Sequence, residues 1–496
     1  MKTEQINKNT WRIHAKKASN VTISYRVYAF ELSVRTSFLD ASHGYFNGTS
    51  IFMFIDELKN KPHTLTIIPF KDWKKVSTSL KKTSEKGFVY QAPDYDILVD
   101  SPVEIGNHET FDFESAGVLH HVAMYGKGNY DIEKLKIDMA KITKACTDVF
   151  GVNPNKEYTF IVHNLTEGSG GLEHLSSTTL QVNRWTYEGQ AYKGFLSLVA
   201  HEYFHLWNVK RIRPIELGPF DYSNENYTDL LWVMEGFTSY YDELLLYRAG
   251  IYTEDEIIKK FANSINRVEN QPGNKVQPVA DASFNAWIKA YRPNENSYNT
   301  TISYYTKGSV IANMLDLMIC NNTKGKKNLD DVMKTLYSKF YLKEKRGFTN
   351  EEMQSVLEEV SGLKLDDFFA KYINSTQTFD YKTVFAYADV KVEMLVDNEA
   401  SLGISLGGGN KIRAVYRDGA AYKGGLNVND EIIAIDGYRI ENDVKDFVNG
   451  KKVGDTIDVL ISRDNLIQTI TLPLTEKNYT HYYIFKESEK NNVVFN

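Results

Sequence analysis

The amino-acid sequence predicts a multidomain α+β protein with three regions of different character. A chain of 496 residues is too long for one ordinary domain. Residues 1–150 carry several runs in which apolar and polar residues alternate, as in β-strands, and they end in a helical pattern. Residues 151–385 begin with a buried strand and continue mainly in helical patterns, whereas residues 386–480 return to short strands and glycines. We expect residues 481–496 to form a C-terminal tail.

The N-terminal region is expected to form a mostly β domain. In VTISYRVYAFELSV, which begins at Val21, apolar residues alternate with polar ones, and a phase shift near Phe30 is compatible with a β-bulge. Further strand-like runs are SIFMFID, HTLTIIPF, YDILVD and GVLHHVAMY. Apolar residues from Ile132 to Val149 then recur at helical spacing, and Gly151 stands where a C-terminal cap belongs. These patterns predict a strand-rich domain that is closed by a linking helix.

The composition is that of a soluble globular protein. The net charge of -6 is small for this length and gives no reason to expect nucleic acid or an anionic membrane as a partner. No apolar stretch is long enough for a membrane span, and two cysteines give no disulfide framework. The N-terminal residues lack the apolar segment of a secretory signal, so we expect a cytoplasmic protein, or a periplasmic or secreted one if a leader was removed.

The segment VAHEYFHLWNVKR contains a candidate metal site. His201 and His205 are four residues apart, so on a helix they lie on the same face and can bind one ion. Glu202 follows the first histidine and can reach a water on that ion. A catalytic zinc ion needs a third protein ligand and an open position. The alternative is a buried helix whose histidines are only hydrogen-bonded, because the five-residue motif alone is a moderate signal.

A candidate third ligand lies downstream in LLWVMEGFTSYYDELLLYRAG. Glu235 stands within an apolar and aromatic run, and a carboxylate is rarely buried unless it is paired or bound. Ser239, one helical turn further on, could hydrogen-bond a metal ligand. The alternative is a glutamate on a helix surface, which the aromatic surroundings disfavour.

These motifs together resemble those of a known family. The histidine pair, the adjacent glutamate and a later glutamate on a second helix resemble the gluzincins, which include thermolysin and aminopeptidase N. The longer segments HEYFHLWNVKRIRP, WVMEGFTSYYDELLLYRAG and SYYTKGSVIANMLDLMI are similar to the PDZ-containing glycyl aminopeptidases. The resemblance implies a thermolysin-like, mainly helical peptidase domain that binds one zinc ion through His201, His205 and Glu235.

Two further segments acquire roles from this resemblance. GSGGLEH stands in the place of the glycine-x-methionine-glutamate-asparagine motif, which implies that Gly170 and Gly171 lie along the substrate and that Glu173 receives its free α-amine. Leucine and His174 depart from that motif, and a glycine-rich turn is the alternative interpretation. SYYTKG resembles the segment whose tyrosine stabilises the transition state, which implies Tyr305, although a buried core tyrosine is the alternative.

The C-terminal region resembles a PDZ domain. Leu402, Gly403 and Ile404 are similar to the loop whose backbone N–H groups hold the carboxylate of a peptide C-terminus. The resemblance leaves two alternatives open: the domain binds free peptides, or it only packs on the catalytic domain.

The implied function is a zinc-dependent aminopeptidase that acts on peptides with a free N-terminus. Glu202 would act as the base for the attacking water and Tyr305 would stabilise the oxyanion. A preference for N-terminal glycine or alanine follows from the resemblance only. The alternatives are a PDZ-regulated zinc endopeptidase, in which Glu173 binds no amine, and a non-catalytic PDZ scaffold.

Overall fold

The first hundred residues form short strands in three small sheets. The structure, a computed structural model, describes residues 2–15, 18, 20–440 and 444–486. The elements of this region are β1 (Thr3–Asn7), β2 (Thr10–Ile13), β3 (Phe38–Leu39), β4 (Gly44–Phe46), β5 (His63–Ile67), β6 (Lys75–Ser77), β7 (Lys81–Lys82), β8 (Phe88–Ala92), helix α1 (Tyr95–Val99) and β9 (Val103–Gly106). The sheets have the strand orders β1-β2, β3-β4-β9-β6 and β5-β8-β7, and all of these pairs are antiparallel.

A larger mixed sheet comes next and carries the helix with the histidine pair. Its elements are β10 (Glu109–Ser115), β11 (Val118–Tyr125), α2 (Ile132–Phe150), β12 (Glu157–Leu165), β13 (Gly171–Glu173), β14 (Ser177–Asn183) and α3 (Gly189–Phe204). The strand order is β10-β11-β12-β14-β13, with β11, β12 and β14 parallel to one another and β13 antiparallel at the edge. The sheet contains strands from both sides of residue 150, where the sequence suggested a domain division.

Helices dominate the middle of the chain. They are α4 (Leu231–Met234), α5 (Gly236–Arg248), α6 (Glu254–Glu269), α7 (Val279–Phe284), α8 (Ser297–Thr300), α9 (Tyr304–Thr323), α10 (Leu329–Leu336), α11 (Asn350–Ser361), α12 (Asp366–Phe368) and α13 (Tyr381–Ala386). The π-helical segments Tyr337–Glu344 and Phe369–Ile373 continue α10 and α12. Short 3-10 turns occur at Gly48–Ser50, Asp56–Leu58, Ile215–Leu217, Pro272–Lys275 and Gly408–Asn410. Among the residues described, no helix combines the length and the apolar character that crossing a membrane requires.

The C-terminal part is a β-rich module with its own apolar core. Its elements are β15 (Val390–Asp397), β16 (Ala400–Ser401), β17 (Ile404–Leu406), β18 (Ile412–Val415), α14 (Ala420–Gly424), β19 (Glu431–Ile435), β20 (Tyr438–Arg439), α15 (Lys445–Val448), β21 (Thr456–Arg463), β22 (Leu466–Pro473), β23 (Thr475–Glu476) and β24 (Tyr479–Lys486). Its core is built from Leu402, Ile412, Ile432, Ile435, Val459, Ile461 and Leu472, among others. Strand β24 pairs with β15, so the expected tail begins inside a strand, and residues 487–496 lie outside the described residues.

The chain forms two units by its internal contacts. One contains residues 1–147, 152–206 and 216–226, and the other contains residues 148–151, 207–215 and 227–496. The first unit therefore holds the mixed sheet with α3, and the second holds the helices from α4 onward together with the C-terminal module.

Several predicted elements are confirmed. The linking helix spans Ile132–Phe150, and Gly151 comes directly after it with φ +72°. The runs HTLTI and VLHHVAMY are strands, and the apolar segment EYTFIVHNL is the buried strand β12. The α+β class with a β-rich N-terminal domain and a helical middle region is therefore correct.

Three strand predictions are wrong. YDILV is helix α1, because Asp94 caps it by accepting a hydrogen bond from the Ile97 N–H. SIFMFID contains no strand. The segment that begins at Val21 forms no strand either: its apolar side chains remain 41–50% exposed at Val21, Ile23, Tyr25 and Val27. Its alternation satisfies the strand period, but the described residues pair it with a strand at one bridge, between Phe30 and Phe38 of β3. A strand needs a run of hydrogen-bonded neighbours.

Candidate active site

Helix α3 presents the two predicted histidines toward one point. His205 Nε2 lies 3.1 Å from His201 Nε2, and their rings are nearly perpendicular, at 82°. Two imidazole nitrogens bound to one tetrahedral zinc ion lie about 3.3 Å apart, given the usual zinc–nitrogen distance. The pair therefore has the spacing of two ligands to one metal. His205 is 1% exposed and forms the C-cap of the helix.

Buried neighbours hold this end of α3 in place. Val199, Ala200 and Phe204 are fully buried. Tyr203 is also buried, and its hydroxyl lies 2.9 Å from His120 Nε2 on strand β11 and accepts a 2.8 Å hydrogen bond from Asn153 Nδ2. The helix is thus anchored to the mixed sheet by a side chain that lies between the two histidines in sequence.

The Glu202 carboxylate lies against the edge strand β13. A Cβ atom on Gly171 would be 2.4 Å from both Glu202 Cδ and Glu202 Oε1, so the space that a side chain would fill is occupied by the carboxylate. Glu202 is 5% exposed. One ligand atom each from Glu173, Glu202 and His205 lie within 4.8 Å of one another. The structure therefore brings two predicted carboxylates and one predicted imidazole into a single cluster.

The loop that precedes β13 has the backbone freedom that its glycines predict. Gly170 has φ +100°, a conformation that strongly favours glycine. The Gln181 N–H donates to the Gly170 carbonyl, and Gly171 and Glu173 are in register with Leu180 and Thr178 on β14. Successive strand residues point to opposite faces. Gly171 and Glu173 therefore share the face that contacts Glu202.

His174, the departure from the aminopeptidase N motif, is fixed by an aspartate from the N-terminal region. His174 Nδ1 lies 3.0 Å from Asp100 Oδ1, and the Leu175 N–H donates to Asp100 Oδ2 over 2.7 Å. This pair holds the end of β13, and with it the neighbouring Glu173. Sequence reasoning did not find Asp100, because 74 residues separate it from His174 and no local pattern indicates such a contact.

A buried histidine–glutamate–histidine cluster also escaped the sequence analysis. His43 Nδ1 lies 2.8 Å from Glu104 Oε1, and His163 Nε2 lies 2.9 Å from Glu104 Oε2. All three side chains are buried, and burial raises the pKa of Glu104 to about 7. The other nitrogen of His163 faces Gln181 at 3.5 Å, the residue whose N–H binds Gly170. The cluster thus supports the strands behind the glycine-rich loop.

In the second unit, Glu235 stands at the junction of two helices. It is both the C-cap of α4 and the N-cap of α5, and it is half-buried among buried aromatic and apolar residues. The next residue, Gly236, allows α5 to contact α9: a Cβ there would be 2.4 Å from the Gly308 Cα. Ser239 donates its N–H to the Glu235 carbonyl over 2.8 Å. Its proposed contact with a metal ligand stays a prediction.

Tyr305 lies in the first turn of α9. Burial raises the pKa of its hydroxyl well above the usual range, and the nearby Glu235 carboxylate raises it further. Tyr304 is buried and stacks on Tyr305, with ring centroids 4.8 Å apart. Tyr305 is the less buried of the two. A phenol that stays protonated at all ordinary pH values is a permanent hydrogen-bond donor, as the predicted role requires.

Comparisons with known proteins identify the family to which the chain is similar. The M61 glycyl aminopeptidase domain matches residues 194–311, and the N-terminal domain of M61 peptidases matches residues 1–107. An aminopeptidase N family protein from Idiomarina loihiensis is 31% identical, with a TM-score of 0.88 over 95% of this chain and 85% of that one. An M1 zinc metallopeptidase from Deinococcus radiodurans is 15% identical, with a TM-score of 0.48 over 71% of this chain and 74% of that one. A search of curated proteins finds no match.

The fold and these matches define a peptidase, a hydrolase of peptide bonds. The chain belongs to the M61 glycyl aminopeptidase family.

Proposed function

We propose that this protein is a zinc-dependent aminopeptidase that removes single N-terminal residues from peptides. The observation that carries the proposal is the 3.1 Å separation of His201 Nε2 and His205 Nε2, together with the Glu202 and Glu173 carboxylates that cluster with His205. A pair of metal-binding histidines, a base and a second carboxylate are groups that an aminopeptidase needs. The family name suggests N-terminal glycine, and we propose alanine as a second accepted residue.

The donor set fits a zinc ion. Neutral imidazoles and one carboxylate are the usual ligands of catalytic zinc, with an open position for water. We assign His201, His205 and Glu235 as the ligands of one ion. When bound, a zinc ion polarises the scissile carbonyl and lowers the pKa of a coordinated water.

The chain's own residues perform the remaining steps. Glu202 takes the proton from the attacking water and later delivers it to the leaving amine. Its contact with Gly171 limits the positions that the carboxylate can take. Tyr305 donates a hydrogen bond to the developing oxyanion, for which its raised pKa keeps it protonated.

Glu173 determines which peptide bond is cleaved. A carboxylate that pairs with the substrate α-ammonium places the first peptide bond, and no later one, at the base. Gly170 and Gly171, which carry no side chain, let the substrate backbone run beside β13. Together they restrict cleavage to the N-terminal residue.

We propose that the C-terminal module, with its strands β16 to β23 and the helices α14 and α15, has the fold of a PDZ domain. Strand β17 pairs only with β18 among the described strands, and this leaves one edge for an added peptide strand. Gly403, with φ +73°, bends the loop Leu402–Ile404 that would hold a peptide carboxylate. Binding of a peptide C-terminus is thus a second candidate activity of the chain.

The test is hydrolysis of alanyl and glycyl anilides by the purified protein. We expect cleavage that chelation abolishes and zinc restores, and little cleavage of the N-acetylated substrates. Equal cleavage of free and acetylated substrates would support the endopeptidase alternative. No hydrolysis with zinc bound would leave only the scaffold.

A further inference from the structure

Three asparagines of the helical region hold the backbone of the C-terminal module. On α6, Asn266 Nδ2 donates to the Tyr482 carbonyl over 2.9 Å and Asn266 Oδ1 accepts from the Tyr482 N–H over 2.8 Å. Asn270, one turn later, does the same with Thr480 over 2.8 and 2.7 Å. Each amide thus imitates a neighbouring strand along β24. The module is therefore bonded to the helical region by specific contacts and is no loosely tethered domain.

The third asparagine, Asn299 on α8, binds a second segment of the module. Its Nδ2 donates to the Val415 carbonyl at the end of β18 over 2.8 Å, and its Oδ1 accepts from the Arg417 N–H over 2.9 Å. Asn299 is 4% exposed. Next to it, Tyr298 contacts the Tyr416 ring, with centroids 5.2 Å apart. A buried amide whose oxygen and nitrogen are both bonded has one fixed position.

Asn299 stands at the start of the short segment that leads into α9. Residues 287–296 are all exposed, so Asn299 is the first buried residue after a stretch of ten. Tyr305 comes six residues later. Between them, the Thr301 carbonyl accepts from Gln271 Nε2 over 2.6 Å, and the Ile302 N–H donates to Gln277 Oε1 over 3.0 Å. Hydrogen bonds from Gln271 and Gln277 thus hold Thr301 and Ile302, in the short link from Asn299 to α9.

We propose that Asn299 is a positioning residue that couples the C-terminal module to Tyr305. The hydrogen bonds to the module fix the position of Asn299. The short link from Asn299 to α9 then fixes the first turn of α9, and this turn fixes the direction of the Tyr305 hydroxyl. The module is then part of the catalytic structure, whatever else it binds. The inference rests on the proposed function only in taking Tyr305 as the oxyanion donor.

The contacts of Asn266 provide a matched control. Asn266 holds the same module through the same kind of hydrogen bonds and lies within α6. Asn270 is unsuitable, because its carbonyl accepts from the Tyr298 hydroxyl and the adjacent Gln271 binds Thr301. Asn299→Ala and Asn266→Ala both remove module contacts. Only the first should affect Tyr305.

The first measurement is hydrogen exchange of the backbone amides of residues 300–306 in the full chain, which needs no activity. We expect faster exchange in Asn299→Ala and unchanged exchange in Asn266→Ala. Unchanged exchange in Asn299→Ala overturns the proposal, as does equal acceleration in both variants.

The second measurement is a double-mutant cycle on alanyl anilide hydrolysis. We expect Asn299→Ala to lower kcat roughly 10- to 100-fold with KM unchanged, since small misplacements of a catalytic group have effects of this size. In a Tyr305→Phe background the same substitution should have no further effect. Multiplicative losses would show that Asn299 does not act through Tyr305. A wild-type enzyme that cleaves nothing would instead refute the proposed function, and the exchange experiment would still decide the role of Asn299.

Discussion

The Glu202 carboxylate fills the space next to Gly171 that a side chain would need: a Cβ on Gly171 would lie 2.4 Å from Glu202 Oε1. One residue lies on an edge strand and the other on the helix of the histidine pair. The glycine has an ordinary negative φ and no backbone reason to be glycine. Its requirement is steric and comes from the carboxylate. The position of the proposed base is therefore set by a residue that carries no functional group.

Gly171→Ala should displace the Glu202 carboxylate and lower kcat. Real Cβ atoms do not approach other atoms to 2.4 Å, and the buried Glu202 side chain is the part that can move. Moving a catalytic base by about 1 Å costs on the order of 10²-fold in rate. Zinc content should stay at one ion per chain. The measurement is kcat with metal analysis on the same sample.

Gly194→Ala is the control for this substitution. Gly194 lies in α3, and a Cβ there meets no atom within 4 Å. It should leave kcat unchanged and stabilise the helix by about 1 kcal/mol. A Gly171→Ala enzyme as active as Gly194→Ala would show that Glu202 is not held in this way.

Metal content should identify the third ligand. Glu235→Gln should lose most of its zinc, because the carboxylate charge that helps to hold the ion is removed. Glu173 also lies near His205, in a cluster that could hold a cation, so Glu173→Gln is the necessary comparison and should retain one ion. Glu202→Gln should retain zinc and lose 10²- to 10⁴-fold or so in kcat, as expected for loss of a general base. Zinc loss in Glu173→Gln with zinc retention in Glu235→Gln would reverse the assignment.

The motif residues were predictable because their relationships are local. His201, Glu202 and His205 share one helical stretch, and a period of 3.6 residues fixes their faces. Glu235 and Tyr305 were named from longer motifs, and their roles stay predictions. The contacts that position Glu173 and Glu202 were not predictable, since Asp100 meets His174, and Gly171 meets Glu202, only after the chain has folded.

The fold shows the same division between local and long-range information. The helix at Ile132–Phe150 is predicted by spacings within a few residues, and it is present. The segment from Val21 has a clear strand period, yet strand formation depends on a distant partner that the period does not reveal. In YDILV the cap at Asp94 outweighed the apolar character of a five-residue run.

Stability should fall as the pH is lowered from about 6.5 to about 4, in part through His120. Burial lowers the pKa of this histidine to about 4, whereas in the unfolded chain it is about 6.5. Between these values the unfolded state binds one proton more, so acid favours unfolding by about 1.4 kcal/mol per pH unit. Urea unfolding at stepped pH measures this slope. His120→Gln should reduce this slope by about 1.4 kcal/mol per pH unit, the contribution of one proton. An unchanged slope would mean that His120 is already charged in the folded state.

The aminopeptidase assignment depends most directly on Glu173. Glu173→Gln keeps the shape of the side chain and removes the charge that would face the α-ammonium. Loss of one partner in a buried charged pair typically costs roughly 2–5 kcal/mol, so kcat/KM on alanyl and glycyl anilides should fall by a factor in the range of about 30 to 5,000. Since placing the amine also aligns the scissile bond, kcat should fall along with binding. Any slow cleavage of the N-acetyl substrates should be unaffected, because they present no ammonium. The measurement is the ratio of kcat/KM for free and acetylated substrates, in wild type and variant. If the variant loses activity on both to the same degree, Glu173 supports the structure of β13 and binds no amine; if wild type shows no preference for a free amine, the enzyme is an endopeptidase.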